Sequence, residues 1–253
     1  MKYGEIIELG KHRLMCGDAT SREDVMKLIG NDKVNLVLTD PPYGMKAQDR
    51  DGCIGDGTRT TLVKSHNNYH IARARQYPQM IGDTTNQSAK KHYEITRGIT
   101  QKQIIWGGQY FAEFLPVSGG WIFWDKENGT SDFSDGELAY RSWGKKLTKY
   151  SQKWCGYIVS GNAKLNGLGG RKKHDTKSRY HPTQKPVELH MRILEDFSQS
   201  DDVILDCFGG SGTTLIACEM TGRKCLMMEF SPEYCDVISE RYMKLKEDYP
   251  LNY

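Results

Sequence analysis

The stretch DVILDCFGGSGTTLIACEMTGRKCLMMEFS, residues 202–231, decides the fold class of this 253-residue chain. A short apolar run ends at Asp206, a glycine-rich turn follows, and an apolar helical pattern begins at about Thr213. Gly222 supplies the C-terminal turn of that helix, and a second apolar run ends at Glu229. The order of strand, glycine loop, helix and strand predicts a right-handed βαβ unit on a mostly parallel α/β sheet.

The glycine loop indicates a nucleoside-bearing ligand. Gly210 and Gly212 match the start of the dinucleotide pattern G-x-G-x-x-G, but Leu215 occupies the third glycine position, which disfavours a dehydrogenase. The chain has no Gly-Lys-Ser/Thr, which excludes a Walker-type phosphate loop. Glu229 ends the next strand, where an acid would hold a ribose diol. The pattern favours a nucleoside cofactor without a pyrophosphate, and the alternative is a structural turn followed by a chance acid.

The second informative stretch is VNLVLTDPPYGM, residues 34–45. Its apolar run is typical of a parallel strand that is covered on both faces, and Asp40 follows at the carboxyl end. Pro41 fixes its own φ, and Pro42 keeps Pro41 out of the helical region, so the Pro41 carbonyl points in one direction. Tyr43 can stack on a base. The alternative is an ordinary turn, because Asp-Pro commonly opens one.

These residue types suit the methylation of an exocyclic amine on a nucleobase. Such an amine is a poor nucleophile because its lone pair is delocalised into the ring. A carboxylate and a rigid carbonyl that accept its two N–H groups would free the lone pair to attack an electrophilic methyl group. The carboxyl ends of parallel strands share one edge of a sheet, so we expect Asp40 and the glycine loop to face one pocket.

A basic region follows in the middle of the chain. Between Arg141 and Lys185 there are twelve Lys and Arg residues and one acid, Asp175, although the net charge of the chain is only +3. Trp and Tyr residues interleave with these cations, which is typical of a polyanion-binding surface with stackable bases, whereas a solvated lysine-rich surface is the alternative. We predict that this segment contacts nucleic acid through Lys145, Lys146, Lys149, Arg171, Lys172, Lys173, Lys177 and Arg179.

The remaining features predict one catalytic domain over residues 1–253, with an inserted polar loop at 46–100 near the active site. We expect a cytoplasmic protein, because no apolar run is long enough for a membrane span or a secretion signal and the seven cysteines are scattered. We expect no metal site, since His66 and His70 have no third ligand near them in the sequence.

Taken together, the motifs resemble those of the S-adenosylmethionine-dependent DNA amino-methyltransferases. DPPY at Asp40–Tyr43 matches the catalytic motif, and DCFGGSGTT at Asp206–Thr214 matches the cofactor motif. HPTQKP at His181–Pro186 resembles the segment beside the methionine end of the cofactor, and GD at Gly17–Asp18 is expected near the adenine. The catalytic motif precedes the cofactor motif, as in the circularly permuted beta group. The resemblance implies a Rossmann-like methyltransferase fold, with residues 141–180 as an inserted DNA target-recognition region that contains the basic contacts predicted above.

The same resemblance implies S-adenosyl-L-methionine as the cofactor and double-stranded DNA as the substrate. The catalytic residues would be Asp40, Pro41, Pro42 and Tyr43. The cofactor-binding residues would be Asp18, Asp40, Thr183, Lys185, Asp206, Phe208, Gly209, Gly210, Ser211, Gly212, Thr213 and Glu229. The target base is expected to leave the duplex before the reaction.

Several alternatives stay open. The family's cytosine-N4 enzymes more often carry Ser at the position of Asp40, so Asp40 implies the N6 amine of adenine over the N4 amine of cytosine. A cytosine-C5 enzyme needs a Pro-Cys pair, which the chain lacks. Related motifs also methylate RNA or protein glutamine, and a catalytically silent DNA-binding module could keep the fold. The sequence does not decide whether the working unit is a homodimer or whether a cognate restriction nuclease accompanies it.

Overall fold

The computed structural model describes residues 1–44, 60–65, 68–73, 85–127, 134–155, 158–159 and 184–249. The strands are β1 (Ile6–Leu9), β2 (His12–Cys16), β3 (Leu36–Thr39), β4 (Thr60–Ser65), β5 (Asn68–Arg73), β6 (Gln103–Trp106), β7 (Gly120–Asp125), β8 (Gly136–Arg141), β9 (Thr148–Ser151), β10 (Trp154–Cys155), β11 (Ile158–Val159), β12 (Val203–Asp206) and β13 (Lys224–Glu229). The helices are α1 (Arg22–Ile29), α2 (Gln87–Thr96), α3 (Val187–Phe197), α4 (Thr213–Thr221) and α5 (Pro232–Asp248), and a 3-10 turn covers Gly108–Phe111.

A nine-stranded sheet forms the centre of the molecule, in the order β1-β2-β13-β12-β3-β6-β8-β7-β9. The strands β2, β13, β12, β3 and β6 are parallel to their neighbours in this series, and β9 is parallel to β7. The strands β1 and β8 are antiparallel to theirs. The predicted mostly parallel α/β sheet is therefore confirmed, and its permuted order places β3 beside β12.

Helices cover both faces of this sheet. Because successive strand residues point to opposite faces, Leu205 packs in the cluster that contains α1, while Ile204 packs in the cluster of α3, α4 and α5. The same alternation separates Val37 from Leu38 on the neighbouring strand β3. Each such fully buried aliphatic side chain contributes about 1.5–3 kcal/mol through the removal of apolar surface from water. Burial on both faces explains the nearly continuous apolar runs in these strands.

The helix starts follow the sequence closely. The Ser21 hydroxyl accepts a hydrogen bond from the Asp24 N–H (3.2 Å), which satisfies a free donor in the first turn of α1. Ser231 caps α5 in the same way, with Pro232 as the first helical residue. Gly222 ends α4 with a left-handed φ of 78°, as the glycine position predicts.

The predicted recognition region begins inside the central sheet. Arg141 belongs to β8 and residues 148–151 form the edge strand β9, so the first part of 141–180 is built into the catalytic sheet. The two-residue strands β10 and β11 pair with each other after it. Residues 156–157 and 160–180 lie outside the described residues. A segment rich in residues of one charge can include strands, because an exposed edge strand carries lysine readily.

The predicted polar loop at 46–100 contains more structure than its composition indicates. Helix α2 lies near its end, and β4 and β5 form an antiparallel pair that the polar composition does not indicate. Within 46–84, all residues other than those of β4 and β5 lie outside the described residues. Within the described ranges, no helix is long and apolar enough to cross a membrane.

Candidate active site

The two sequence motifs meet at one edge of the sheet. Leu205 of β12 is paired with Val37 of β3, so the strands that end at Asp206 and Thr39 lie side by side. The Thr39 hydroxyl donates a hydrogen bond to Asp206 Oδ1 (2.9 Å) across this boundary. Asp40, the next residue after β3, therefore lies beside the start of the glycine loop, as the parallel-strand argument predicts.

The glycine loop is fixed against the neighbouring strand β13. The Gly209 N–H donates to the Met228 carbonyl (2.8 Å), and the Gly210 N–H donates to Glu229 Oε2 (2.7 Å). Gly210 and Gly212 have φ values of 53° and 83°, which residues with a side chain rarely adopt. Gly212 also caps the N-terminus of α4, so the loop delivers the positive end of this helix to the site.

Glu229 lies at the carboxyl end of β13 with both oxygens facing backbone donors. Its Oε1 accepts the Ser231 N–H (2.9 Å) while its Oε2 accepts the Gly210 N–H. Burial raises the pKa of this carboxyl, and the backbone N–H groups partly oppose that effect. A carboxylate oxygen accepts more than one hydrogen bond, so Glu229 retains capacity for further donors such as the hydroxyls of a ribose.

The Asp206 carboxyl is buried and forms hydrogen bonds within the protein. Its Oδ1 accepts hydrogen bonds from Thr39 and from the Phe208 N–H (3.1 Å), and the side chain is 3% exposed. Burial raises the pKa of Asp206 to about 7. The residue joins β3 to the glycine loop, a role that the motif alone does not reveal.

The far end of this edge carries Asp18 and a buried histidine. Asp18 Oδ1 accepts the Thr20 N–H (2.8 Å), which shapes the turn into α1. Burial lowers the pKa of His92 to about 4, so the ring is neutral; its Nδ1 lies 3.2 Å from the Ala19 carbonyl and therefore carries the proton. The ring packs edge-on against Phe208 at 5.1 Å. Its Nε2 is a buried acceptor without a hydrogen-bond partner in the part of the chain that the structure describes.

The corner of the site after β3, residues 40–43, is built around Asp40. Tyr43 donates its hydroxyl proton to Asp40 Oδ1 (2.5 Å), and the Lys185 ammonium pairs with Asp40 Oδ2. Burial and the nearby Asp40 charge raise the pKa of Tyr43 well above its usual value, which keeps the phenol protonated. The Tyr43 ring stacks on Tyr110, with 5.1 Å between centroids. It also lies against Gly107, where an added Cβ would come within 2.2 Å of the ring.

Lys185 is connected to both motifs. Its carbonyl accepts the Thr213 hydroxyl (3.3 Å) beside the glycine loop, whereas its ammonium reaches Asp40 and Glu137 and lies 5.0 Å from the centre of the Trp106 ring. Burial opposes the charged form of Lys185, but the two carboxylates outweigh it and raise its pKa. The ammonium of Lys185 is thus paired with the Asp40 carboxylate, while the predicted cofactor contact of Lys185 stays a prediction. Thr183 lies outside the described residues.

Sequence reasoning missed three side chains of this corner: Glu137 and Lys126, which pair at 2.6 Å, and Trp106. Glu137 is the second residue of β8, directly after a common Asp-Gly turn signal, and it belongs to none of the catalytic or cofactor motifs. Nothing in its local sequence distinguishes it from an ordinary surface acid. Among the described residues there is no group of three or more His, Cys, Asp or Glu side chains that could hold a metal ion.

Three of the predicted DNA contacts are described by the structure. Lys145 and Lys146 are exposed in the turn after β8, whose last residue, Arg141, is paired with Ile104 near the start of β6. That turn therefore lies at the amino-terminal edge of the parallel strands, opposite Asp40. Exposed Lys149 lies on β9 and pairs with Asp125 (2.7 Å). The other predicted contacts, Arg171, Lys172, Lys173, Lys177 and Arg179, lie outside the described residues, so the DNA interface stays a prediction.

Comparison with known proteins agrees with this architecture. The model of the N6_N4_Mtase family, described as DNA methylase, matches residues 34–240. The protein YubD of Escherichia coli (strain K12) is 37% identical over 219 residues, covering 83% of this chain and 82% of the relative. The type II methyltransferase M2.MboI of Moraxella bovis is 27% identical over 244 residues, covering 88% and 85%.

Among solved structures, the PvuII DNA methyltransferase (cytosine-N4-specific) aligns with a TM-score of 0.53 and 15% identity, covering 95% of this chain and 92% of that chain. At this identity the likeness shows a shared fold alone. The family match includes both the Asp40 corner and the glycine loop, whose juxtaposition the geometry establishes. The chain belongs to the N6_N4_Mtase family of DNA methylases, and its cofactor is S-adenosylmethionine.

Proposed function

We propose that this protein methylates the N6 amine of adenine in duplex DNA, after the base has been extruded from the helix. The observation that carries this proposal is the hydrogen bond between Thr39 and Asp206, because it places the amine acceptor Asp40 directly beside the glycine loop. An acceptor for a substrate amine and a cradle for a nucleoside cofactor therefore share one edge of the sheet.

The described residues fit the cofactor. The backbone of the glycine loop and the N-terminus of α4 would hold its methionine end, and Glu229 would accept the ribose hydroxyls. At the far end, the unpartnered Nε2 of His92 is an acceptor between Phe208 and the turn at Asp18, which suits the amine of an adenine. S-adenosylmethionine supplies a methyl group bound to a sulfonium sulfur.

The protein's task is to make the target amine nucleophilic. Asp40 and the Pro41 carbonyl accept the two N–H groups of the amine, which frees its lone pair from the ring. With the cofactor bound, the N–C bond would form as the C–S bond breaks, and Asp40 would accept the proton that the nitrogen then releases. Preorganised acceptors of this kind stabilise the positive charge that develops on nitrogen and need no rearrangement during the reaction.

The choice of adenine rests on Asp40, since the resemblance associates Asp at this position with the N6 amine. Cytosine-N4 methylation is the second candidate, supported by the fold that the chain shares with the cytosine-N4-specific PvuII enzyme. A silent DNA-binding module is disfavoured because Asp40, Pro41, Pro42 and Tyr43 are all present at the corner.

Nucleoside analysis separates these candidates. The protein is incubated with isotope-labelled S-adenosylmethionine and duplex DNA of mixed sequence, and the digested DNA is analysed by mass spectrometry. We expect labelled N6-methyl-2′-deoxyadenosine. Labelled N4-methyl-2′-deoxycytidine would overturn the base assignment, and the absence of label from DNA would overturn the proposed activity.

Base extrusion has its own test. A duplex that carries a fluorescent base analogue at the target position is mixed with the protein in the presence of a non-reactive cofactor analogue. Extrusion unstacks the analogue, so its fluorescence should rise. Unchanged fluorescence at a concentration that binds all the duplex would contradict this step.

A further inference from the structure

A second carboxylate stands beside the catalytic one. Glu137 of β8 and Asp40 after β3 are joined by Lys185, whose Nζ pairs with Asp40 Oδ2 and lies 3.3 Å from Glu137 Oε2. The other oxygen of Glu137, Oε1, pairs with Lys126 Nζ at 2.6 Å. Two lysines and two carboxylates thus alternate in one chain of ion pairs that ends at Asp40.

Lys185 is the buried member of this chain. Its side chain is 5% exposed, against 25% for Asp40 and 27% for Glu137. A buried ammonium that loses its carboxylate is strongly destabilised, because the attraction that offset its dehydration disappears. The Trp106 ring, 5.0 Å away, stabilises the cation further but does not replace a charged partner.

Both oxygens of Asp40 are occupied in the absence of substrate. Oδ1 accepts the Tyr43 hydroxyl and Oδ2 is paired with Lys185. Each oxygen can still accept a further donor, so a target amine competes with Tyr43 and Lys185 for the Asp40 carboxylate. If Lys185 depended on Asp40 alone, this competition would leave its charge less well paired inside the protein.

We infer that Glu137 is a positioning residue, which retains Lys185 while Asp40 turns to the target amine. Glu137 Oε2 is already within ion-pair distance of Lys185, and Lys126 holds the opposite oxygen, so the receiving carboxylate is fixed in place. This role rests on the proposed function, because it requires Asp40 to bind an amine.

The charge state of Glu137 agrees with this role. Burial opposes ionisation of its carboxyl, but the charges of Lys185 and Lys126 outweigh burial and lower its pKa to about 2. Glu137 therefore stays ionised at every pH at which the enzyme would be assayed.

The test combines two substitutions. With saturating cofactor, we expect Glu137→Gln to slow the single-turnover transfer to DNA by roughly 10- to 100-fold, because Lys185 then remains on Asp40. Cofactor affinity should stay within about twofold of the wild type, which also verifies the fold. In the wild type, Lys185→Gln should slow the transfer, because the Asp40 and Glu137 carboxylates lose their shared cation. In the Glu137→Gln protein it should accelerate the transfer, because it removes the cation that competes with the amine for Asp40. Coupling between neighbouring groups of roughly 0.5–3 kcal/mol, about 2- to 150-fold, is measurable in such a cycle.

The matched control is Asp125→Asn, which removes a carboxylate from the adjacent strand β7 and breaks an exposed pair with Lys149. Its transfer rate should equal that of the wild type. An active wild type with an unchanged Glu137→Gln rate would overturn the role of Glu137 alone, as would a double variant that is no faster than Glu137→Gln. A wild type that methylates no amine would overturn the proposed function and this role with it.

Discussion

At the scale of single residues, the site depends on carboxyl groups that have similar sequences around them and different tasks. Asp40 and Asp206 each follow an apolar strand, yet Asp40 is paired with a cation and Asp206 is buried among neutral donors. The pairing suits a carboxylate that must stay charged to accept N–H groups. The neutral burial suits a carboxyl that joins two strands.

Replacing Asp40 tests the amine-binding role. Asp40→Ala should reduce the rate of methyl transfer by roughly 10²–10³-fold or more, because one of the two acceptors for the amine is lost. Cofactor binding, measured by calorimetry, should change little, since Glu229 and the glycine loop are unaltered and Glu137 still pairs with Lys185. Retained turnover would refute the role assigned to Asp40.

Asp206 gives a pH-dependent prediction. Its folded pKa of about 7 lies above the unfolded value near 3.8, so its contribution to stability is fully present below pH 3.8 and is lost as pH rises to 7. The Asp206→Asn protein should not show this loss. Its free energy of unfolding should rise relative to that of the wild type by about 1.4 kcal/mol for each pH unit between 4 and 7. Urea unfolding of both proteins at pH 5 and pH 8 measures the difference. A constant difference would show that Asp206 is ionised in the folded protein at both pH values.

At the scale of elements, the turn after β6 fixes the Tyr43 ring. Gly107 has a φ of 69°, and an added Cβ there would lie 2.2 Å from Tyr43 Cε1. The short turn at 108–111 carries Tyr110, whose ring stacks on that of Tyr43. Tyr43 is therefore positioned by the neighbouring strand's turn as well as by the two prolines before it.

Gly107→Ala should displace Tyr43 and slow methyl transfer by roughly 10²-fold, the effect of misplacing a catalytic group by about 1 Å. Gly222→Ala is the matched control, because Gly222 has a similar φ of 78° with no atom within 4 Å of the added Cβ. Both variants should lose about 1–2 kcal/mol of stability to the left-handed backbone, but only Gly107→Ala should lose activity. Equal activities of the two variants would show that the position of the Tyr43 ring does not affect methyl transfer.

The basic region is the second element with a testable role. DNA affinity should fall steeply with salt, because each neutralised phosphate releases counterions. Replacing Arg171, Lys172 and Lys173 with Ala should lower the slope of log affinity against log salt by about 2–3. Replacing Lys145 and Lys146 should change it little, since their turn lies at the opposite edge from Asp40. A large effect of the latter pair would place DNA on that edge.

At the scale of the whole molecule, three histidines of the described residues are buried and neutral: His12 on β2, His92 on α2 and His190 on α3. Burial lowers the pKa of each one, to about 4 for His92 and about 3 for His190. Their stabilising contribution is therefore present above the unfolded pKa of 6.5 and is lost as pH falls, whereas Asp206 and Glu229 act in the opposite direction.

The His190→Gln variant isolates this effect. His190 Nε2 accepts the Trp106 indole N–H (3.2 Å) and Nδ1 lies 3.2 Å from the Thr214 hydroxyl, and an amide can supply the same acceptor and donor without titrating. Between pH 6.5 and pH 5, the wild type should lose about 1–2 kcal/mol of stability that His190→Gln does not lose. Parallel losses in chemical denaturation would show that the buried ring accepts a proton.

The sequence by itself determined the βαβ unit, the glycine positions and the Asp-Pro-Pro-Tyr corner. Each of these depends on local chemistry: the alternation of apolar residues, the left-handed φ that Gly210 and Gly212 require, and the fixed φ of proline. The shared edge also followed from sequence, because parallel strands end on the same side of a sheet.

Only the tertiary structure decided which charges surround Asp40. Glu137 and Lys185 come from segments far away in the chain, and only the packing of β8 against the segment before α3 brings them together. The same holds for the turn that contains Lys145, which strand pairing assigns to the amino-terminal edge of the sheet, while its contact with DNA stays a prediction. An ion pair has no period or turn signature, since its partners are chosen by the packing of distant elements and by the need to neutralise a buried charge.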